Sequence, residues 1–253
     1  LESNMYILNI ESGLSKKIST NNEGIWDFSW SPDSKWLAFV QTALNSMSQI
    51  KIYNIKNESI FDLTTDRANS FNPKWSPDGK FIYFLSDRSF TTLVGSPWGT
   101  RQPEPYWDAS EKLYHINLKK GIRSPFRESD EMMKKDDEKK TKNKKDKVTV
   151  SIDIEGIQSR IEEVPIPAGN YSNLDMNDKS IYLISRETGI NAKSNLKVLS
   201  ISNENIKLKD MASDVSNFQL TKDGKNILIR KGRTYYMVKA GSGKANLTDS
   251  RIN

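Results

Sequence analysis

The chain has 253 residues, 38 Lys+Arg, 32 Asp+Glu, one His and no Cys, for a formal net charge of +6. Without cysteine there is no disulfide scaffold, no thiol nucleophile and no thiolate-bound metal, and a solitary histidine excludes a multi-histidine metal site and makes a Ser–His–Asp triad a poor fit. No run approaches the roughly 18 apolar residues that span a bilayer, so no membrane role is expected.

Taken in chain order, the first elements are two strand-like segments between residues 5 and 20. The next is a motif that recurs. Trp30-Ser31-Pro32-Asp33-Ser34-Lys35-Trp36-Leu37-Ala38-Phe39 lines up with Trp75-Ser76-Pro77-Asp78-Gly79-Lys80-Phe81-Ile82-Tyr83-Phe84 at an offset of 45 residues. The same offset links Ile7-Leu8-Asn9-Ile10 to Ile52-Tyr53-Asn54-Ile55, and Thr20 to Thr65. Weaker copies begin at Asn177 and Asp223, and Ile181 and Ile227 in them are 46 residues apart. Leu113-Tyr114-His115-Ile116 matches Ile52 to Ile55 at a spacing of 61, which puts 16 inserted residues before it and sets His115 opposite Asn54.

Each repeat has a physical reading. In Ser-Pro-Asp-Gly, proline presets φ for the turn, aspartate caps it, and glycine takes the left-handed position that follows. Ser34 stands in that position in the first copy. Such a turn joins two antiparallel strands through a bulged hairpin. Short, nearly continuous apolar runs follow (Phe81 to Leu85, Ile227 to Ile229), as expected of strands covered on both faces. A third strand and a closing strand near Leu-Thr complete the unit, with Ala245 to Thr248 as the last closing strand.

Four antiparallel strands in about 45 residues are the signature of a propeller blade. The expected fold is all-β, a β-propeller of four-stranded antiparallel blades, incomplete, with about four and a half blades present. The expected divisions are a half blade at 1–20 and blades at 21–65, 66–168, 169–208 and 209–253, the second carrying insertions at 88–110 and 127–147. The first segment matches only third and fourth strands, so it belongs to an earlier blade. A ring of six or seven blades then needs on the order of 70–110 further residues, and the chain reads as a piece of a larger propeller.

Candidate sites are few. From Arg127 to Lys147 there are nine Lys/Arg and seven Asp/Glu, with no core-forming residue after Met133. That mixture describes a solvated loop rather than a phosphate clamp, and no nucleic-acid partner is expected. The insertion before it concentrates Trp98, Arg101, Pro103, Pro105, Tyr106 and Trp107. Exposed aromatics beside an arginine suit recognition, so Trp98, Arg101, Tyr106 and Trp107 are the candidate substrate- or partner-binding residues. Trp30 and Trp75 are expected to pack blades together, Asp33 and Asp78 to serve turns, and His115 to be structural. Gly241-Ser242-Gly243-Lys244 lacks the first glycine and the magnesium-binding hydroxyl of a P-loop. No Gly-x-Ser-x-Gly elbow occurs. No catalytic residue, metal ligand or cofactor is expected in this chain.

The repeat resembles the Tol-type propeller repeat. A narrower resemblance lies in Val148 to Ile161 (Val-Thr-Val-Ser-Ile-Asp-Ile-Glu-Gly-Ile-Gln-Ser-Arg-Ile), in Val164 to Tyr171, and in Ser124-Pro125-Phe126 with Glu128 to Glu131. These segments are similar to the second propeller of tricorn-type serine peptidases, and with the repeats the likeness covers nearly the whole chain. It implies a role by position. Members are large homo-oligomeric peptidases in which two propellers precede a PDZ-containing catalytic region and govern passage of oligopeptides. The implied partners are therefore oligopeptides and the downstream PDZ and catalytic region. The nucleophile and its histidine lie beyond the last blade in that family, and no position here matches a catalytic motif. Two alternatives stand beside this: a stand-alone Tol-type interaction scaffold, and the propeller of a prolyl-oligopeptidase-like enzyme. Compartment is not fixed by these residues, and the cytoplasm is preferred over export.

Overall fold

The computed structural model describes residues 4–18, 24–89, 107–129 and 147–252. Strands β1 (Tyr6–Leu8) and β2 (Ser15–Lys17) form a two-stranded antiparallel sheet. Four four-stranded sheets follow. Blade 1 holds β3 (Ile25–Trp30), β4 (Trp36–Thr42), β5 (Ser48–Asn54) and β6 (Ile60–Asp62). Blade 2 holds β7 (Ser70–Trp75), β8 (Phe81–Ser86), β9 (Lys112–Asn117) and β10 (Ile161–Glu163). Blade 3 holds β11 (Asn170–Met176), β12 (Ser180–Arg186), β13 (Ser194–Ser200) and β14 (Lys209–Ala212). Blade 4 holds β15 (Asn217–Leu220), β16 (Asn226–Lys231), β17 (Thr234–Lys239) and β18 (Arg251–Ile252). Within each blade the strands run antiparallel in sequence order, and the first strands β3, β7, β11 and β15 neighbour one another around the propeller axis.

The repeated turns form as their residues dictate. Ser31, Ser76 and Thr221 each donate a hydroxyl to the aspartate two residues on, at 2.7, 2.6 and 2.6 Å. The same hydroxyls accept the N–H of Trp36, Phe81 and Asn226, where the second strand begins. The left-handed residue is Ser34 (φ 59°), Gly79 (φ 70°) or Gly224 (φ 65°). Only glycine occupies that region without a Cβ penalty. Ser34→Gly is therefore expected to stabilise the chain by about 1 kcal/mol; an unchanged or lowered denaturation midpoint would contradict this. Gly79 is required for a second reason, because a Cβ there would meet Val150 Cγ2 at 2.8 Å.

The core is a stack of layers between blades. The face of each blade that meets the next one carries two cross-strand pairs. These are Ala38, Val40, Ile50 and Ile52 in blade 1, and Tyr83, Leu85, Leu113 and His115 in blade 2. Blade 3 uses Tyr182, Ile184, Leu196 and Val198. Those residues meet Trp75, Ile82 and Phe84; Leu174, Met176 and Ile181; and Phe218, Ile227 and Ile229 of the following blade. Since both faces are covered, every residue of β8 is buried.

Four expectations are corrected. His115 pairs with Tyr83 as Ile52 pairs with Ala38, so it is equivalent to Ile52 and not to Asn54. The two-residue shift keeps the same strand face. β14 pairs with β13, which carries the third blade past residue 208 to Ala212. The last closing strand is β18 rather than Ala245 to Thr248, because the Asn246 side chain caps a turn there through the Thr248 N–H.

The fourth correction concerns tryptophan. Trp75 is 6% exposed and donates its indole N–H to the Ser29 carbonyl of blade 1 at 2.9 Å, whereas Trp30 is 50% exposed. The two-stranded sheet covers Leu37, Phe39 and Tyr53 on the second and third strands of blade 1 with Met5 and Ile18. It presents no first or second strand to β3, so Trp26, Phe28 and Trp30 stay open.

Candidate functional site

Three regions gather polar and aromatic groups: the inner wall, and the two ends where loops cluster. On the inner wall, β3, β7 and β11 each carry a β-bulge, with a positive-φ residue at Asp27 (φ 52°), Asn72 (φ 51°) and Asn173 (φ 52°). Asx residues tolerate this conformation, and a bulge re-aims the backbone N–H. The result is a relay from blade to blade. Asp27 Oδ2 accepts the Asn72 backbone N–H at 3.1 Å and its Nδ2–H at 2.7 Å. Asn72 Oδ1 accepts the Asn173 N–H at 3.0 Å, and Asn173 Nδ2 donates to Asn217 Oδ1. β15 has no bulge, and the relay ends on its side chain and on the Phe218 carbonyl.

Two residues after each of the β7 and β11 bulge positions comes a wall-lining charge, Lys74 or Asp175, and the two approach to 4.0 Å. Asp175 also accepts the Leu220 N–H of blade 4. Lys74, Asn173, Asp175, Asn217 and Gln219 border a cavity of about 370 Å³. The wall therefore carries hydrogen-bonding groups of both polarities and mixed charge.

At the turn end, Val148 to Ile161 forms a strap across blades 1 and 2. Asp33 Oδ2 receives the Val150 N–H at 3.0 Å, and the Asp153 N–H reaches the Leu118 carbonyl at 2.9 Å. Arg160 donates to the carbonyls of Asn117, Glu155 and Asp153. Gly156 (φ 66°) opens a single 3-10 turn, Ile157–Arg160, that buries Ile157. Burial works against the Asp33 carboxylate, but the bonds from Val150, Ser31 and Lys35 outweigh it and hold its pKa below the ordinary aspartate value.

At the opposite end, the close of the first insertion is knotted to blade 3. Asp108 Oδ1 accepts the Thr188 hydroxyl at 2.6 Å and Asn170 Nδ2 at 3.0 Å, while Asn170 Oδ1 accepts the Ala109 N–H. The Thr188 and Asn170 bonds lower the Asp108 pKa. Trp107 is half exposed and lines a cavity of about 430 Å³ with Asp108, Asn170, Arg186 and Thr188. Of the four aromatic and arginine residues singled out from sequence, Trp107 is thus placed at this end, and Trp98, Arg101 and Tyr106 lie outside the described residues.

The family model described as the tricorn protease second beta propeller domain matches residues 1–241. The chain belongs to that family. Tricorn protease homolog 1 of Streptomyces coelicolor is 26% identical over 238 residues, covering 87% of this chain and 21% of that protein. The crystal structure of the tricorn protease superposes with a TM-score of 0.74 at 18% identity, over 93% of this chain and 23% of that one. TolB from Acinetobacter baumannii gives 0.55 at 14% identity, over 98% and 49%, a likeness of fold. This tricorn-type propeller thus spans about a fifth of the length of the curated relative it matches.

The family segments now have physical roles. The Val148–Ile161 run is the strap, and Ser124-Pro125-Phe126 packs Phe126 into the layer between blades 2 and 3. The relay in this tricorn-type propeller was missed from sequence. Its signal was present, because Asp27 and Asn72 recur at the offset of 45.

Proposed function

We propose that this tricorn-type propeller channels oligopeptides toward a catalytic region elsewhere in a longer, homo-oligomeric serine peptidase, and is itself non-catalytic. The match of the second-propeller family model over residues 1–241 carries the reading. The mixed-polarity wall around Lys74, Asn173 and Asp175 supports it, since peptide N–H and C=O groups need both acceptors and donors. At the opposite end Trp107 supplies an exposed aromatic face for docking peptide or the PDZ-containing region, and Trp98, Arg101 and Tyr106 of the same insertion are the residues proposed to act with it.

The test uses the full-length gene product and two fluorogenic substrates, one of about ten residues and one tripeptide. Trp107→Ala is expected to raise KM for the longer substrate several-fold and to leave the tripeptide unchanged, the pattern of lost uniform binding. Equal effects on both substrates, or none, would sink the channelling role. The 253-residue chain alone is expected to hydrolyse neither, and serine-inhibitor-sensitive turnover by it would overturn the non-catalytic assignment.

A further inference from the structure

The one histidine of the sequence is fully buried in the layer between blades 2 and 3. Its ring lies 5.4 Å from Phe81, 5.5 Å from Tyr83 and 6.2 Å from Phe126. The equivalent positions in blades 1 and 3 are Ile52 and Val198, so packing alone asks for an aliphatic side chain. His115 instead adds a polar contact. Its Nε2 is 2.8 Å from Ser124 Oγ, and that oxygen also accepts the Phe126 N–H at 3.3 Å.

Two buried atoms of this layer have no hydrogen-bond partner, His115 Nδ1 and Asn117 Oδ1. They stand two residues apart on β9 and hence on one strand face. The Asn117 amide cannot be turned to exchange its atoms, because Nδ2 is committed to the Ile122 carbonyl at 3.1 Å and to Glu162 Oε1. The one vacancy it offers is an acceptor. A neutral imidazole suits this arrangement, with its proton on the Nδ1 side and Nε2 accepting from the Ser124 hydroxyl. An imidazolium suits it less: Nε2 would become a donor to Ser124 Oγ, whose own proton would be left without its acceptor, and a charge would be placed in a buried layer.

We propose that Ser124, His115, Asn117 and Glu162 form a proton-operated latch, which holds the 122–126 segment against blade 2 while His115 is neutral and releases it on acidification. That segment inserts Phe126, with Ile122 beside it, into the layer shared by blades 2 and 3, and it leads into the charged insertion.

The charged and titratable neighbours are consistent with this. Burial pushes the imidazole pKa below its ordinary value, against the opposing pull of Glu162 and of the Asn117 side chain. Glu162 sits opposite His115 in the β9–β10 register. The Tyr83 phenol on β8 is kept protonated by burial. Arg123 directs its guanidinium to the Glu128 carbonyl, and from blade 3 the layer receives Leu174, Met176, Ile181 and the Tyr171 ring, whose hydroxyl is spent on the Pro167 carbonyl.

With a single histidine in the sequence, the imidazole signals need no assignment among histidines. Imidazole NMR shifts and amide hydrogen exchange of the chain are followed from neutral pH to about pH 4. The His115 signal is expected to titrate below its ordinary value of 6.5. In the same interval, exchange across 122–126 should rise several-fold after correction for the intrinsic rate. His115→Val should abolish that rise, and Ser124→Ala should give fast exchange of the segment at every pH. An imidazole that titrates at 6.5, a segment whose exchange ignores the titration, or a rise that persists in His115→Val would each overturn the latch. Should His115→Val fail to fold, the wild-type coincidence and Ser124→Ala still decide it.

Discussion

Trp75→Ala is expected to destabilise the chain by about 3–5 kcal/mol, the range for emptying a buried aromatic site. Trp30→Ala, at the same position of the repeat, should cost about 1 kcal/mol or less, as at a solvent-exposed site. Trp75 fills the layer between blades 1 and 2 beside Val40, Ile50 and Ile52, and its indole N–H satisfies the Ser29 carbonyl. Its loss leaves both a cavity and an unpaired acceptor. Trp30 has no blade strand against its open face. Denaturant unfolding followed by far-UV circular dichroism reads both variants without relying on indole fluorescence. Equal costs would refute the assignment of blade 1 as the end of the stack. With the first two strands of a further blade packed against β3, Trp30 should become as costly to remove as Trp75.

A similar contrast concerns the turn aspartates. Asp33→Ala should cost about 2–4 kcal/mol, because a buried carboxylate gives up three donors. Asp78→Ala should cost about 1 kcal/mol, as expected for an exposed cap. Both aspartates bond the serine two residues before and the lysine N–H two residues after. Asp33 alone of the two also receives the strap through Val150. Since its pKa is lowered in the fold, the stabilisation it gives is complete above the unfolded value of 3.8 and is lost as pH falls through the lower folded value. The gap in unfolding midpoint between wild type and Asp33→Ala should therefore narrow in acid. A gap independent of pH would show that the Val150 bond is not held by charge.

These contrasts define how far the residues could be read without coordinates. The Ser-Pro-Asp-Gly turn is local chemistry, in which proline, aspartate and a left-handed residue act within six positions, and it forms as read in both strong copies. The blade follows from it, since a hairpin of apolar, β-branched strands repeated every 45 residues has to stack to bury its faces. The His115 register was misread by two residues because the insertion before it removed the constant offset. The wall was harder to read. Asp27, Asn72 and Asn173 are ordinary polar residues until bulges in three different strands aim them at one another.

By itself, the sequence determined the repeat unit, its turns and the all-β class, because each of these rests on contacts between near neighbours in the chain. Tertiary structure decided which copy of a repeated residue matters. Trp30 and Trp75, or Asp33 and Asp78, are alike in sequence and differ in what the next blade or the strap places against them. It also decided that the lone histidine meets Ser124, Asn117 and Glu162 in a sealed layer. Burial and partnership depend on segments up to 117 residues apart, and no local pattern encodes them.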